Sequence, residues 1–135
     1  LVGLKARLDD KGDRLHSFTV DISSATAVEE VCHTILTRLG AVSVLVNNAG
    51  LLSNNKCVQT DLAEWHRVMR VNLDGAFLLS QQLLPCMRSM QYGRIVNITS
   101  MAAKTGGVTA GTAYSVSKGA LSSLTFSLAR EAVSL

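Results

Sequence analysis

Strand-length apolar runs alternate with helix-length amphipathic stretches along almost the whole chain, and that alternation leaves few folds open to it. Phe18-Thr19-Val20-Asp21-Ile22 reads as a short strand, the third of the sheet if it spans 16–22. Ser24 then stands as an N-cap before a stripe of Val28, Val31, Cys32, Ile35, Leu36 and Leu39, closed by Gly40. The run 42–46 is apolar enough to be buried on both faces of a parallel sheet. Residues 51–59 read as loop. Asp61, with Glu64 three residues on, resembles a capping box and opens a helical pattern that continues to Met90. Gly75 and Pro85 inside that pattern are expected to bend it. A strand at 94–99, a Gly/Thr/Ala-rich loop at 101–112 and a last helix at 113–134 complete the chain. Leu1, Leu4 and Leu8 ahead of Gly12 suggest the tail of an earlier helix. Strand and helix in repeated alternation predict a doubly wound α/β fold in one domain, residues 1–135, with no internal repeat and no linker.

Composition narrows the function. Of 135 residues 47% are apolar, which suits a buried core. The net charge is +3, but the basic residues are scattered and only three Phe, two Tyr and one Trp are present, so nucleic-acid binding is disfavoured. The three cysteines, Cys32, Cys57 and Cys86, lack metal-like spacing and read as reduced, mostly packed thiols of an intracellular, cytoplasmic protein. His16, His33 and His66 share no pattern and are expected at the surface, with no metal site. No apolar run approaches membrane-spanning length, and no membrane association is expected.

Chemistry-bearing residues fall at the ends of the expected elements. Tyr114 and Lys118 lie four residues apart, which on a helix stacks phenol and ammonium on one face. A fixed positive charge there favours phenolate over phenol and prepares the tyrosine to exchange a proton. Ser100 closes the strand-like run Ile95-Val96-Asn97-Ile98-Thr99 and could hold the oxygen of a carbonyl or alcohol. Asn47-Asn48-Ala49-Gly50 ends the preceding strand, and Asn72 sits inside an otherwise amphipathic helical stretch. Taken alone, the Tyr/Lys pair is compatible with a plain surface helix, and Asn72 with a helix-surface amide. Their company favours a proton-transfer site.

With Asp21-Ile22, the Asn-Asn-Ala-Gly strand end, Asn72, Ser100, Tyr114 and Lys118 in this order, the chain resembles the short-chain dehydrogenase/reductase family. The branch it is most similar to is the 3-oxoacyl-carrier-protein reductases. The interval from Ser100 to Tyr114 is one residue longer than the commonest family spacing; an extra residue between 101 and 112 absorbs it. Met101 offers no hydroxyl, and Thr99 would point to the opposite face. The resemblance implies a Rossmann-type sheet and hydride transfer between NAD or NADP and a ketone or secondary alcohol. It implies Tyr114 as acid/base and Lys118 as the residue that tunes it and holds the nicotinamide ribose. Ser100 would orient the substrate oxygen, and Asn72 would hold a relay water. Asp21 would bind the adenine end, with Ile22 packing against the ring, although on local evidence a strand-terminal Asp in a turn is nearly as good a reading. Asn48, Ala49 and Gly50 would line the cofactor cleft, and Asn47 would brace the sheet. A homodimer or homotetramer through the helices at 61–90 and 113–134 is also implied.

Two family pieces are not found in the sequence. No Gly-rich phosphate turn appears, and by the resemblance residue 1 corresponds to the helix after the second strand. The chain is therefore expected to be the central part of its domain, without the N-terminal β-α-β unit and the C-terminal part. In the strand order 3-2-1-4-5-6 the strand at 16–22 would then sit roughly 14 Å from the strand at 42–46, at about 4.8 Å per interval. That leaves it without a native neighbour. The alternative reading is a catalytically silent chain that keeps only the interface helices.

Overall fold

The computed structural model describes residues 15–133. Ser24, in extended conformation, accepts the Ala27 amide on its side-chain oxygen, and helix α1 (Ala25–Leu39) starts there. The helix stops at Gly40, whose φ of 85° suits a residue without Cβ and whose N–H reaches the Leu36 carbonyl. Strand β1 (Val44–Asn47) pairs in parallel with β2 (Arg94–Asn97), placing Val44 opposite Arg94 and Asn47 opposite Asn97. Parallel neighbours need a long crossover. It is supplied by α2 (Leu62–Met69), a π-helical turn (Arg70–Asp74) and α3 (Gly75–Ser89). After β2 come the short α4 (Ala102–Thr105) and the long α5 (Thr112–Val133). The loop expected at 51–59 contains only a 3-10 turn, Cys57–Gln59.

Residue alternation along the strands decides where the core lies. Leu45 and Ile95 face Val28 and Cys32 of α1 and Leu83 and Met87 of α3, and Asn97 on the same face bonds to Thr125 of α5. Among the described residues the three long helices thus cover one face of the sheet. On the other face Val44, Val46 and Val96 are 50%, 55% and 44% exposed, so the run 42–46 is covered on one face and not, as expected, on both. The α/β fold and the adjacent parallel strands match the expectation of an incomplete Rossmann-type sheet.

Three expectations need correction. Phe18–Ile22 is not a strand: no ladder partner lies beside it among the described residues, and a strand forms only where a neighbour takes its backbone groups. Its apolar side chains still bury, Val20 and Ile22 packing against the α1/α3 core. The crossover helix widens into a π turn at Arg70–Asp74, directly ahead of Gly75, which is itself helical with φ −58° and ψ −45°, and Pro85 lies inside α3. Gly75 also gives Ile22 room, since a Cβ there would crowd it at 2.9 Å from Ile22 Cδ1 and 3.1 Å from the Ile22 carbonyl. The capping box is half formed: Asp61 accepts the Glu64 amide at 2.7 Å, but the Glu64 carboxylate turns to Ser53 and Asn55. The helix tail expected ahead of Gly12 lies outside the described residues.

Candidate active site

Arg70–Asp74 widens the helix into a single π turn, a feature frequent at functional sites. Asn72 is 1% exposed there. Its Nδ2 donates to the Leu51 carbonyl at 3.0 Å and to Ser117 Oγ at 2.9 Å, while its Oδ1 accepts the Leu51 amide at 2.6 Å. One amide side chain therefore joins the loop after β1 to helix α5. Ser117 passes the connection on, its hydroxyl donating to the Tyr114 carbonyl at 2.7 Å.

Lys118, one turn beyond Tyr114 on α5, is 3% exposed. Its Nζ donates to the Ile98 carbonyl at 2.7 Å, just beyond β2, and lies 5.9 Å from the centroid of the Tyr114 ring. Phenol and ammonium thus share a face, as four-residue spacing on a helix dictates. Burial holds the Lys118 amine below its ordinary pKa, because the charged form loses hydration. Gly50 packs beside both groups: a Cβ there would lie in ordinary contact, 3.4 Å from Lys118 Nζ and 3.6 Å from Asn72 Oδ1. Tyr114 itself is half-buried.

Ser100 reaches the same end of the sheet through the main chain, two residues past Ile98. Its Oγ accepts the Ala102 amide at 3.2 Å at the start of α4, and α4 packs against α5. Asn48, Ala49 and Gly50 are exposed at the end of β1. Asn47 turns inward and donates to Asn97 Oδ1 at 2.8 Å, bonding β1 to β2. Asp21 and Ile22 do not join this cluster. The Asp21 carboxylate takes the Ser23 hydroxyl and amide, which hold its pKa below the ordinary range, and Ile22 packs on Gly75.

Two contributors escaped the sequence reading. Ser117 is fully buried between Asn72 and Tyr114, and its place one turn after Tyr114 on the same helix was the available signal. Lys56 reaches three carbonyls of the loop that precedes α5, a tertiary contact with no local signature. Cys32 is buried, Cys86 half-buried and Cys57 exposed. His16, His33 and His66 are exposed. Among the described residues no cluster of three or more His, Cys, Asp or Glu could hold a metal, and no helix is long and apolar enough to cross a membrane.

Comparison with known proteins identifies the family. The family model for the short chain dehydrogenases matches residues 1–134. A 3-oxoacyl-[acyl-carrier-protein] reductase of Aquifex aeolicus is 34% identical over 120 residues, covering 89% of this chain and 48% of the relative. The 2-dehydro-3-deoxy-D-gluconate 5-dehydrogenase of Bacillus subtilis is 32% identical over 124 residues, covering 92% and 48%. Among solved structures, a short-chain dehydrogenase from Streptomyces avermitilis superposes with a TM-score of 0.87 at 30% identity, over 98% of this chain and 48% of that one. The chain thus spans about half the length of the relatives it matches. With a family match over nearly every residue and a parallel α/β core of the same shape, the chain belongs to the short-chain dehydrogenase family.

Proposed function

We propose that this chain carries the proton-transfer centre of an NAD(P)(H)-dependent oxidoreductase that interconverts a ketone and a secondary alcohol. The observation that carries the reading is the buried Lys118 ammonium, anchored on the Ile98 carbonyl and set beside the Tyr114 ring. A buried ammonium has three donors to satisfy, and among the described residues one acceptor takes one of them. The remaining donors suit the ribose hydroxyls of a nicotinamide nucleotide and the phenol oxygen. The exposed end of β1 at Asn48, Ala49 and Gly50 leaves room for a dinucleotide beside them. The residues present therefore fit the cofactor.

When bound, a reduced nicotinamide supplies a hydride to the carbonyl carbon. Tyr114 gives its proton to the carbonyl oxygen as the new alcohol forms, and takes it back in oxidation. Lys118 stabilises the phenolate left behind, and Ser100 orients the substrate oxygen by hydrogen bonding. Lys118 then passes a proton to that phenolate, and a relay water held at Asn72 in the π turn replaces it on Lys118 from solvent, so both groups return to their starting state. Asp21 serves the adenine end, with Ile22 beside it. The two named relatives act, by their names, on a 3-oxo group and at position 5 of a sugar acid, so an oxo or secondary hydroxyl group is the shared substrate chemistry. Residues 1–135 form the central part of one domain, which associates as a homodimer or homotetramer through α2, α3 and α5. The exposed Phe77 and Phe126 on these helices support that association.

The test is turnover by the protein that contains this chain. Oxidation of NADH or NADPH is followed against a panel of 3-oxoacyl thioesters and sugar-acid ketones. The reading expects ketone-dependent oxidation of one nucleotide. No turnover of any carbonyl or alcohol, with the nucleotide bound, would sink it.

A further inference from the structure

Tyr114 is the third residue of α5, so its position depends on the loop that delivers the helix. That loop turns sharply: Gly106 and Gly107 have φ of 73° and 78°, and a Cβ on Gly107 would overlap Ser115 Oγ and lie 2.7 Å from the Ala110 carbonyl. Into this turn reaches Lys56, from the loop after β1. Its Nζ donates to the carbonyls of Gly107 at 2.7 Å, Ala110 at 2.7 Å and Val108 at 3.3 Å. An ammonium has three donors, and here three backbone oxygens converge on them.

The same two loops are joined by backbone bonds. The Gly111 amide donates to the Ser53 carbonyl at 2.6 Å and the Thr112 amide to the Asn55 carbonyl at 3.0 Å. Thr112 is the first residue of α5. Ser53 and Asn55 are fixed in turn by the Glu64 carboxylate on α2, whose pKa the Ser53 hydroxyl and the Asn55 amide hold below the ordinary range. Each partner ends on the segment between Ser100 and Tyr114.

We infer that Lys56 is a positioning residue: by gathering the 107–110 carbonyls it fixes where α5 begins, and hence where the Tyr114 hydroxyl stands relative to Ser100. Lys56 touches neither substrate nor cofactor in this scheme, and the inference rests on the function proposed for Tyr114. The alternative is a lysine that only ties two loops together for stability.

Kinetics and amide hydrogen exchange on the protein containing this chain separate these cases, using Lys56→Met and Lys56→Arg. Lys56→Met is expected to speed exchange at Gly111 and Thr112 and to lower kcat about ten-fold, the scale of a small misplacement of reacting groups. The KM for the ketone and the affinity for the nucleotide are expected to change less than about two-fold, because uniform binding is untouched. Lys56→Arg, which keeps charge and donors, is expected to recover part of the loss. Faster exchange with unchanged kcat would overturn the positioning role, and unchanged exchange would overturn the anchoring itself. A wild-type protein that turns over no carbonyl would overturn the proposed function and this role together, a result distinct from failure of the variant alone.

Discussion

Inside the protein the Lys118 ammonium gives up most of its hydration, and its pKa falls below the ordinary lysine value of 10.5. Between the lowered value and 10.5 the unfolded chain binds a proton that the folded chain does not, so stability rises with pH through that window. Below the window the burial cost is present in full. Lys118→Met is therefore expected to remove this part of the rise. The check is the urea midpoint from neutral to alkaline pH, in wild type and variant. Identical slopes would show that Lys118 is as well solvated as a surface lysine. At this scale the shared face of Tyr114 and Lys118 was legible in the sequence, because helical spacing fixes which side chains stack, whereas the burial of Asn72 in a π turn was not. Ser117 and Lys56 were not: one is a serine among serines, the other a loop lysine whose partners lie some fifty residues away. The fate of the Asp21 carboxylate was half legible, since an Asp after a strand-like run commonly bonds its own backbone two residues on, as it does with Ser23.

Among the elements, the crossover from β1 to β2 shows how a side chain can outrank backbone propensity. The sequence offered Gly75 and Pro85 as places to bend, yet the helix changes pitch around Asn72. The three hydrogen bonds from its amide to Leu51 and Ser117 decide the matter. Asn72→Ala would leave a buried hydroxyl and a backbone pair without their partner. A loss of about 2–3 kcal/mol is expected, from the penalty for buried groups left unbonded. Denaturant unfolding measures it, and a change below about 0.5 kcal/mol, typical of plain surface positions, would reduce Asn72 to a surface amide. Helix starts and stops were read correctly at Ser24, Gly40 and Asp61 because caps are local chemistry. The role of Gly75 was not, because Ile22 approaches it from another part of the chain.

For the whole molecule, the alternation of strands and helices was enough to give the α/β class, and the order of β1 and β2 followed from it. The strand expected at 18–22 failed for a reason no local pattern contains, since strands are made by neighbours. Among the described residues the sheet has two strands and is covered on one face, with Val44, Val46 and Val96 open on the other. Two strands are marginal by themselves. The 135-residue chain in isolation is expected to lack a cooperative melt above about 50 °C, the usual range for whole domains. Calorimetry showing such a transition would mean that helix packing alone holds the core.

The claim on which these readings turn is that the Tyr114 hydroxyl moves the proton during hydride transfer. Steady-state turnover of Tyr114→Phe, in the protein that contains this chain and at saturating nicotinamide nucleotide, tests it most directly. Loss of a general acid/base lowers kcat by at least about 100-fold, and that loss is expected here with nucleotide affinity almost unchanged. A variant that keeps more than a few per cent of wild-type turnover, roughly what a 100-fold loss allows, would contradict it.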